Sequence, residues 1–177
     1  MVGIGRTATR QLGAYLEGDK EYQAQLVLGK ITDSYDLTGK VVETRDFVFP
    51  SESQIREALD CFRGEIMQTP PPFSAVKVGG VRLYRAARKG VILEAKPRKV
   101  RVEVIELTGL TNDGFVIRVV CSHGTYIRSL AHQIGLTLGC GAHLTRLVRT
   151  RVGAFTLDRA EPLEQFISRL DFERTTT

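Results

Sequence analysis

The sequence is short of the residues that most redox and metal chemistry needs. Its three cysteines, Cys61, Cys121 and Cys140, are odd in number and form no Cys-x-x-Cys pair. That argues against a disulfide framework or a structural zinc site and fits a reducing compartment. The three histidines are scattered, and only His132 and His143 come near a metal pair, weakly. There is no P-loop, and Gly139-Cys140-Gly141 is not a dinucleotide fingerprint. No apolar run reaches membrane-spanning length, and the first residues read as neither signal nor transit peptide. No internal repeat or low-complexity stretch is visible. These absences leave the expectation of a soluble, cytoplasmic protein without metal or cofactor.

What remains is a globular chain with a basic surplus. At 177 residues, 42% hydrophobic and 25% charged, it is expected to form one domain with a sizeable core, or one domain with an appendage. A net charge of +5 mildly favours a polyanionic partner.

Periodicity predicts an α+β fold: a mostly antiparallel mixed sheet with flanking helices. Helices are expected over 9–16, 51–64, 83–89, 125–138 and 162–170. The second opens on a capping box, Ser51-Glu52-Ser53-Gln54. Alternation predicts strands over 20–29, 40–48, from Val100 through Val104, and over 115–122, with 144–151 extended or mixed. Asn112-Asp113-Gly114 reads as a hairpin turn. Pro70-Pro71-Pro72 can be neither helix nor central strand. Residues 2–4 read as the tail of a buried segment and the terminal threonines as frayed.

The most site-like stretch runs from Val120 to Leu130. An apolar strand enters a small-residue turn, Ser122-His123-Gly124-Thr125, and the turn opens a helix. Helix starts suit anions. Arg128, hemmed by Ile127 and Leu130, needs a carboxylate or phosphate partner. A Cys121–His123 nucleophile pair lacks an orienting third group.

Basic residues form three groups. Lys77, Arg82, Arg85, Arg88 and Lys89 follow the prolines, interleaved with Phe73 and Tyr84. Arg82, Arg85 and Lys89 have helical spacing, so they are expected to share a face, either a grip on a nucleic-acid backbone or a solvated surface. Lys96, Arg98, Lys99 and Arg101 read as the wet side of a strand. Arg146, Arg149 and Arg151 carry little specificity. Tyr22 is either a core aromatic with its hydroxyl at the surface or a ring for stacking on a base. Asp33 and Asp36, in Thr32-Asp33-Ser34-Tyr35-Asp36, read as turn-capping rather than catalytic.

Together, several segments resemble the TruB family of tRNA pseudouridine synthases. They are Lys20-Glu21-Tyr22; Leu28-Gly29 with Thr32 to Asp36; Gly64 to Gln68 with Pro70-Pro71; Ser74-Ala75-Val76-Lys77; Tyr84 with Ala87 to Gly90; Gly124 to Leu130; and Gly141-Ala142-His143-Leu144 with Leu147. The resemblance covers about residues 3–160, in family order. It implies isomerisation of a T-loop uridine in tRNA, by one aspartate, without cofactor or metal. Tyr22 would pack on the target base, Arg128 would pair with the catalytic aspartate, and Leu147 would line the uridine pocket. Residues 68–101 would clamp the T-stem-loop within a catalytic domain over 1–160. Lys77, Arg82, Tyr84, Arg85, Lys89 and Tyr126 would bind substrate, and 161–177 would form a terminal helix and tail. A monomer is expected.

The sequence departs from the family pattern in three ways. The family aspartate sits in a Gly-Gly-Thr-Leu-Asp-Pro-like loop ahead of the first matching helix, and no such run occurs here. None of Asp19, Asp33, Asp36 or Asp46 has a comparable context. The sequence is also expected to stop before the extra C-terminal RNA-binding domain that many members carry, and His132 stands where relatives often have an acid. The expectation is therefore a truncated member, inactive as it stands, with Arg128 a half-buried charge lacking its partner. The competing reading is a non-catalytic module that binds an RNA stem-loop.

Overall fold

The computed structural model describes residues 5–15 and 17–175. Residues 2–4, Leu16 and the last two threonines, about which expectations were stated, lie outside them. Six antiparallel strands form one sheet in the order β10-β9-β1-β8-β7-β4. The strands are β1 (Lys20–Leu28), β4 (Gly64–Gln68), β7 (Arg98–Leu110), β8 (Gly114–Cys121), β9 (Ala142–Val152) and β10 (Phe155–Thr156). Two small hairpins stand apart: β2 (Lys30–Thr32) with β3 (Val41–Thr44), and β5 (Lys77–Val78) with β6 (Val81–Arg82). The helices are α1 (Gly5–Tyr15), α2 (Glu52–Asp60), α3 (Leu83–Ala87), α4 (Ile127–Thr137) and α5 (Leu163–Thr175).

Alternation along β1 and β8 places Ala24, Leu26, Phe115, Ile117 and Val119 on one face, all buried. Ile55 and Leu59 of α2 and Leu130 and Ile134 of α4 close over that face. The expected capping box is present: Ser51 Oγ accepts from the Gln54 backbone, and Gln54 Oε1 accepts from Ser51 N. At the β7–β8 turn, a Cβ on residue 114 would sit on the Leu26 carbonyl oxygen, so the hairpin tip needs its glycine.

Several expectations need correction; α1 begins four residues early at Gly5, α2 stops at Asp60, and β7 runs on to Leu110. The strand expected over 40–48 ends at Thr44, opposite Lys30, the first residue of its antiparallel partner β2. β4 escaped the reading: Gly64, at φ 90°, turns the chain from α2 directly into a short strand whose outward residues are Glu65 and Met67. α5 runs past 170 to Thr175. Finally, α3 covers only Leu83–Ala87, so Arg82 precedes it and Lys89 follows it. The Lys89 N–H bonds Ala86 O and Gly90 adopts φ 76°, which closes the helix before the three cations can share one face.

Candidate functional site

The site is organised by the first turn of α4. Tyr126 is its N-cap, and the N-cap side chain supplies no hydrogen bond. Gln68, at the end of β4 and 1% exposed, holds the backbone of the cap residue itself. Its Oε1 accepts from Tyr126 N at 2.7 Å, and its Nε2 donates to Tyr126 O at 3.1 Å. Ser129 Oγ donates to Thr69 O at 2.8 Å, tying the same turn to the chain ahead of the prolines.

Arg128 then reaches three oxygens on two other segments. Its Nη1 donates to Asp36 Oδ2 at 3.0 Å and to Ser34 O at 3.4 Å, and its Nη2 donates to Phe73 O at 2.9 Å. Arg128 is therefore not the unpartnered charge expected above: Asp36 is its anion. The β2–β3 turn aims this carboxylate. Ser34 Oγ, Thr38 N and Thr38 Oγ1 all donate to Asp36 Oδ1, at 2.7, 3.0 and 2.6 Å. Leu144 N donates to Tyr35 O at 3.0 Å, and Asp36 bridges to Leu144, so β9 holds the turn from behind.

Burial opposes ionisation of Asp36, but the hydrogen bonds from Thr38 and Ser34, with the charge of Arg128, outweigh it and hold the carboxyl below its ordinary value. A folded-state value below the unfolded one stabilises the fold at neutral pH, where both states are ionised. That contribution is lost as pH falls through about 4 and on through the lower folded-state value. Asp36→Asn is therefore expected to cost about 1–2 kcal/mol at pH 7. In melts from pH 7 to 3, its Tm deficit should shrink toward the acid end; a deficit constant with pH would refute a charge-dependent role.

An open cleft of about 520 Å³ lies beside the pair, lined by Ser34, Lys40, Phe73, Tyr84, Arg88 and Arg128. One wall is the β2–β3 turn and the other is the 73–88 segment. That segment has its own small core of Val76, Leu83 and Ala95, against which the Tyr126 ring packs. Tyr126, expected to bind substrate, thus joins this segment to α4. Lys77 and Arg82 sit opposite each other on the exposed β5–β6 hairpin, and Arg85 and Lys89 are exposed beyond it. Arg88 lies over the Tyr84 ring at 5.5 Å, and Arg82 donates to the Tyr84 hydroxyl at 3.5 Å.

Tyr22 and Leu147 meet through the β1–β9 register. Ala24 pairs with Leu147 and Tyr22 with Arg149, so Tyr22 and Leu147 are diagonal neighbours on the sheet face that carries α4. Tyr22 is half-buried against the core while Leu147 is 43% exposed. Burial raises the Tyr22 phenol pKa, and the Arg149 guanidinium pulls against it. Two residues before Tyr22, on the same face, Lys20 is buried, and its Nζ donates to His123 Nδ1 at 3.1 Å. This bond pins the turn between β8 and α4. Cys121 is buried and its thiol is pushed up to about 11 by that burial, which leaves it a poor nucleophile.

Sequence reasoning missed Asp36 as a partner, Gln68 as a clamp and Lys20–His123 as a tie. The alternating polar residues Thr32, Ser34, Asp36 and Thr38 did signal a carboxylate held in a turn. Among the described residues, no group of three or more His, Cys, Asp or Glu side chains is placed to hold a metal ion. No described helix is long and apolar enough to cross a membrane.

Residues 1–127 match the family model for TruB family pseudouridylate synthase (N terminal domain). Residues 128–175 match that for the tRNA pseudouridylate synthase B C-terminal domain. The chain is 46% identical over 155 residues to tRNA pseudouridine synthase B of Protochlamydia amoebophila (strain UWE25), covering 88% of this chain and 58% of that protein. It is 50% identical over 163 residues to tRNA pseudouridine synthase B of Bordetella avium (strain 197N), covering 91% and 66%. The chain thus spans 58% and 66% of the length of these two curated relatives. Among solved structures, a Cbf5-Nop10-Gar1 complex aligns with TM-score 0.69 at 32% identity, over 96% of this chain and 41% of that one. An H/ACA RNP bound to a substrate RNA containing 2'-deoxyuridine aligns with TM-score 0.65 at 27% identity, over 97% and 40%.

Proposed function

Because this chain belongs to the TruB family of pseudouridine synthases, we propose that it carries the uridine pocket and RNA grip of an enzyme that isomerises a T-loop uridine in tRNA. The observation that carries this reading is the Arg128–Asp36 pair, set in a cleft between the β2–β3 turn and a basic segment. On this reading Tyr22 packs on the target base and Leu147 lines the pocket. Lys77, Arg82, Arg85 and Lys89, within a clamp over 68–101, hold the phosphates of the T-stem-loop. The protein is cytoplasmic and meets its RNA as a monomer.

Asp36 is an anchor here, not the nucleophile. Ser34 and Thr38 occupy one of its oxygens and Arg128 the other. A carboxylate so engaged is a weak attacking group, whereas it is well made for orienting a guanidinium. The reaction requires a further aspartate that attacks the ribose or the base. The N-glycosidic bond breaks, the uracil turns and a C–C bond to the ribose forms. The displaced carbon-bound proton leaves as the ring nitrogen gains one, and the aspartate is released. The chain by itself is therefore expected to bind the T-stem-loop without converting it.

Binding of a T-stem-loop RNA, together with tritium release from uridine-labelled tRNA, tests both halves. Affinity should fall steeply with added salt, as phosphate contacts require. Arg82→Ala combined with Arg85→Ala should weaken binding about tenfold and reduce the salt slope by about 2, since two phosphate contacts are lost. An unchanged affinity would overturn the clamp, and turnover by this chain alone would overturn the anchor role of Asp36.

A further inference from the structure

Two aromatic side chains that no step above uses meet behind the Arg128 pair. The rings of Tyr35 and His132 stack, with centroids 4.0 Å apart and planes 6° apart. Tyr35 stands between Ser34 and Asp36, the two turn residues that accept from Arg128. His132 stands one helical turn beyond Arg128 on α4, on the same side of that helix. The stack therefore joins the same two elements as the ion pair.

Tyr35 also has an unusual backbone. Among the described residues it is the one non-glycine at positive φ, 63°. A tyrosine adopts this left-handed conformation only where its surroundings impose it. Two backbone hydrogen bonds help, from Tyr35 N to Thr32 O at 3.2 Å and from Leu144 N to Tyr35 O at 3.0 Å. Neither involves α4; the ring does. With Tyr35 so turned, the residues on both sides of it present oxygens to Arg128. The His132 Nδ1 is buried without a hydrogen-bond partner, so the stack is the contact that engages this ring on the Tyr35 side. Burial, then the nearby Arg45 charge, lowers its pKa, which favours the neutral ring.

We propose that Tyr35 and His132 form a positioning stack that locks the left-handed turn and thereby holds the Ser34 and Asp36 oxygens on Arg128. The geometry stands on its own, while its bearing on substrate rests on the RNA-binding reading above.

The test reads Arg128 directly, by nitrogen-15 NMR of the full chain, with the signal assigned by its loss in Arg128→Lys. A guanidinium held by three fixed oxygens rotates slowly, so its Nη protons should give separate signals in the wild type. His132→Ala should merge them. Tyr35→Gly should do the same, although glycine adopts φ 63° freely, so that loss reports the ring and not the backbone. His132→Phe keeps a flat ring and should restore the separate signals. Separate signals persisting in both Tyr35→Gly and His132→Ala, or no restoration in His132→Phe, would overturn the stack. If His132→Ala unfolds, as the amide spectrum of β1 and β8 would reveal, Tyr35→Gly and His132→Phe carry the test. Affinity for the T-stem-loop should fall several-fold in His132→Ala and recover in His132→Phe. A wild type that binds no RNA but shows separate Arg128 signals sinks the functional reading and leaves the stack. Binding that is intact in every variant, with unchanged Arg128 signals, sinks the stack alone.

Discussion

Replacing Arg128 with alanine is expected to lower the unfolding free energy by about 2–3 kcal/mol and to abolish measurable binding of the T-stem-loop. The change removes the donors of three acceptors at once: Asp36 Oδ2, Ser34 O and Phe73 O. Breaking a fully buried pair costs about 3–5 kcal/mol. The side chains here are 25% and 21% exposed, so water takes over part of the solvation of Asp36 and the loss falls below that range. Binding suffers more than stability, because Arg128 hydrogen-bonds both walls of the cleft from α4 through a single side chain. Lysine is no substitute: its ammonium is a point charge and cannot span oxygens on two segments in the plane of a fork. Urea unfolding of Arg128→Ala, Asp36→Ala and the double variant measures the coupling. Additive losses would show that the pair contributes no interaction of its own.

Gly135→Val should be the more damaging change for the fold, costing about 3 kcal/mol or more. Gly135 faces the start of β9. A Cβ there would sit on the backbone nitrogen and Cβ of Ala142, and backbone cannot swing aside as a flexible side chain does. The contact is reinforced by Gly141 N donating to Gly135 O at 2.8 Å. Forcing α4 off β9 also moves Arg128 away from Asp36, because Asp36 is itself bridged to Leu144 of β9. The same type of change is harmless where space is open. Gly13 is exposed on α1, and a Cβ added there would meet nothing within 4 Å. It should tolerate alanine with a gain of up to about 1 kcal/mol. Equal urea midpoints for Gly135→Val and the wild type would refute the close packing of α4 on β9.

Much of the site could be read from the residues, but only from one side. An arginine between Ile127 and Leu130 at a helix start announces that it needs an anion. Nothing local says which anion, and Asp36 lies 92 positions earlier in the chain. The turn residues around Asp36 announce a capped carboxylate and equally hide its second use, since an oxygen facing water and one facing Arg128 have the same sequence context. Gln68 is harder still. A lone glutamine ahead of three prolines carries no periodic signal, yet its amide bonds both backbone groups of Tyr126, the residue that opens α4. The shared face expected of Arg82, Arg85 and Lys89 failed because helical spacing assumes a helix long enough to repeat, and α3 is only Leu83–Ala87.

The sequence by itself determined the elements and their inward faces. Alternation in β1, β7 and β8, the Ser51 capping box and the Asn112-Asp113-Gly114 turn are local patterns, and local sterics and hydrogen bonding are enough to realise them. Tertiary structure alone decided the partners: Asp36 for Arg128, Gln68 for Tyr126, His123 for Lys20 and His132 for Tyr35. Each of these pairs joins residues on distant stretches of the chain. Their meeting depends on how the sheet closes and where α4 docks, which is set by the packing of the whole core and not by any one segment's preference.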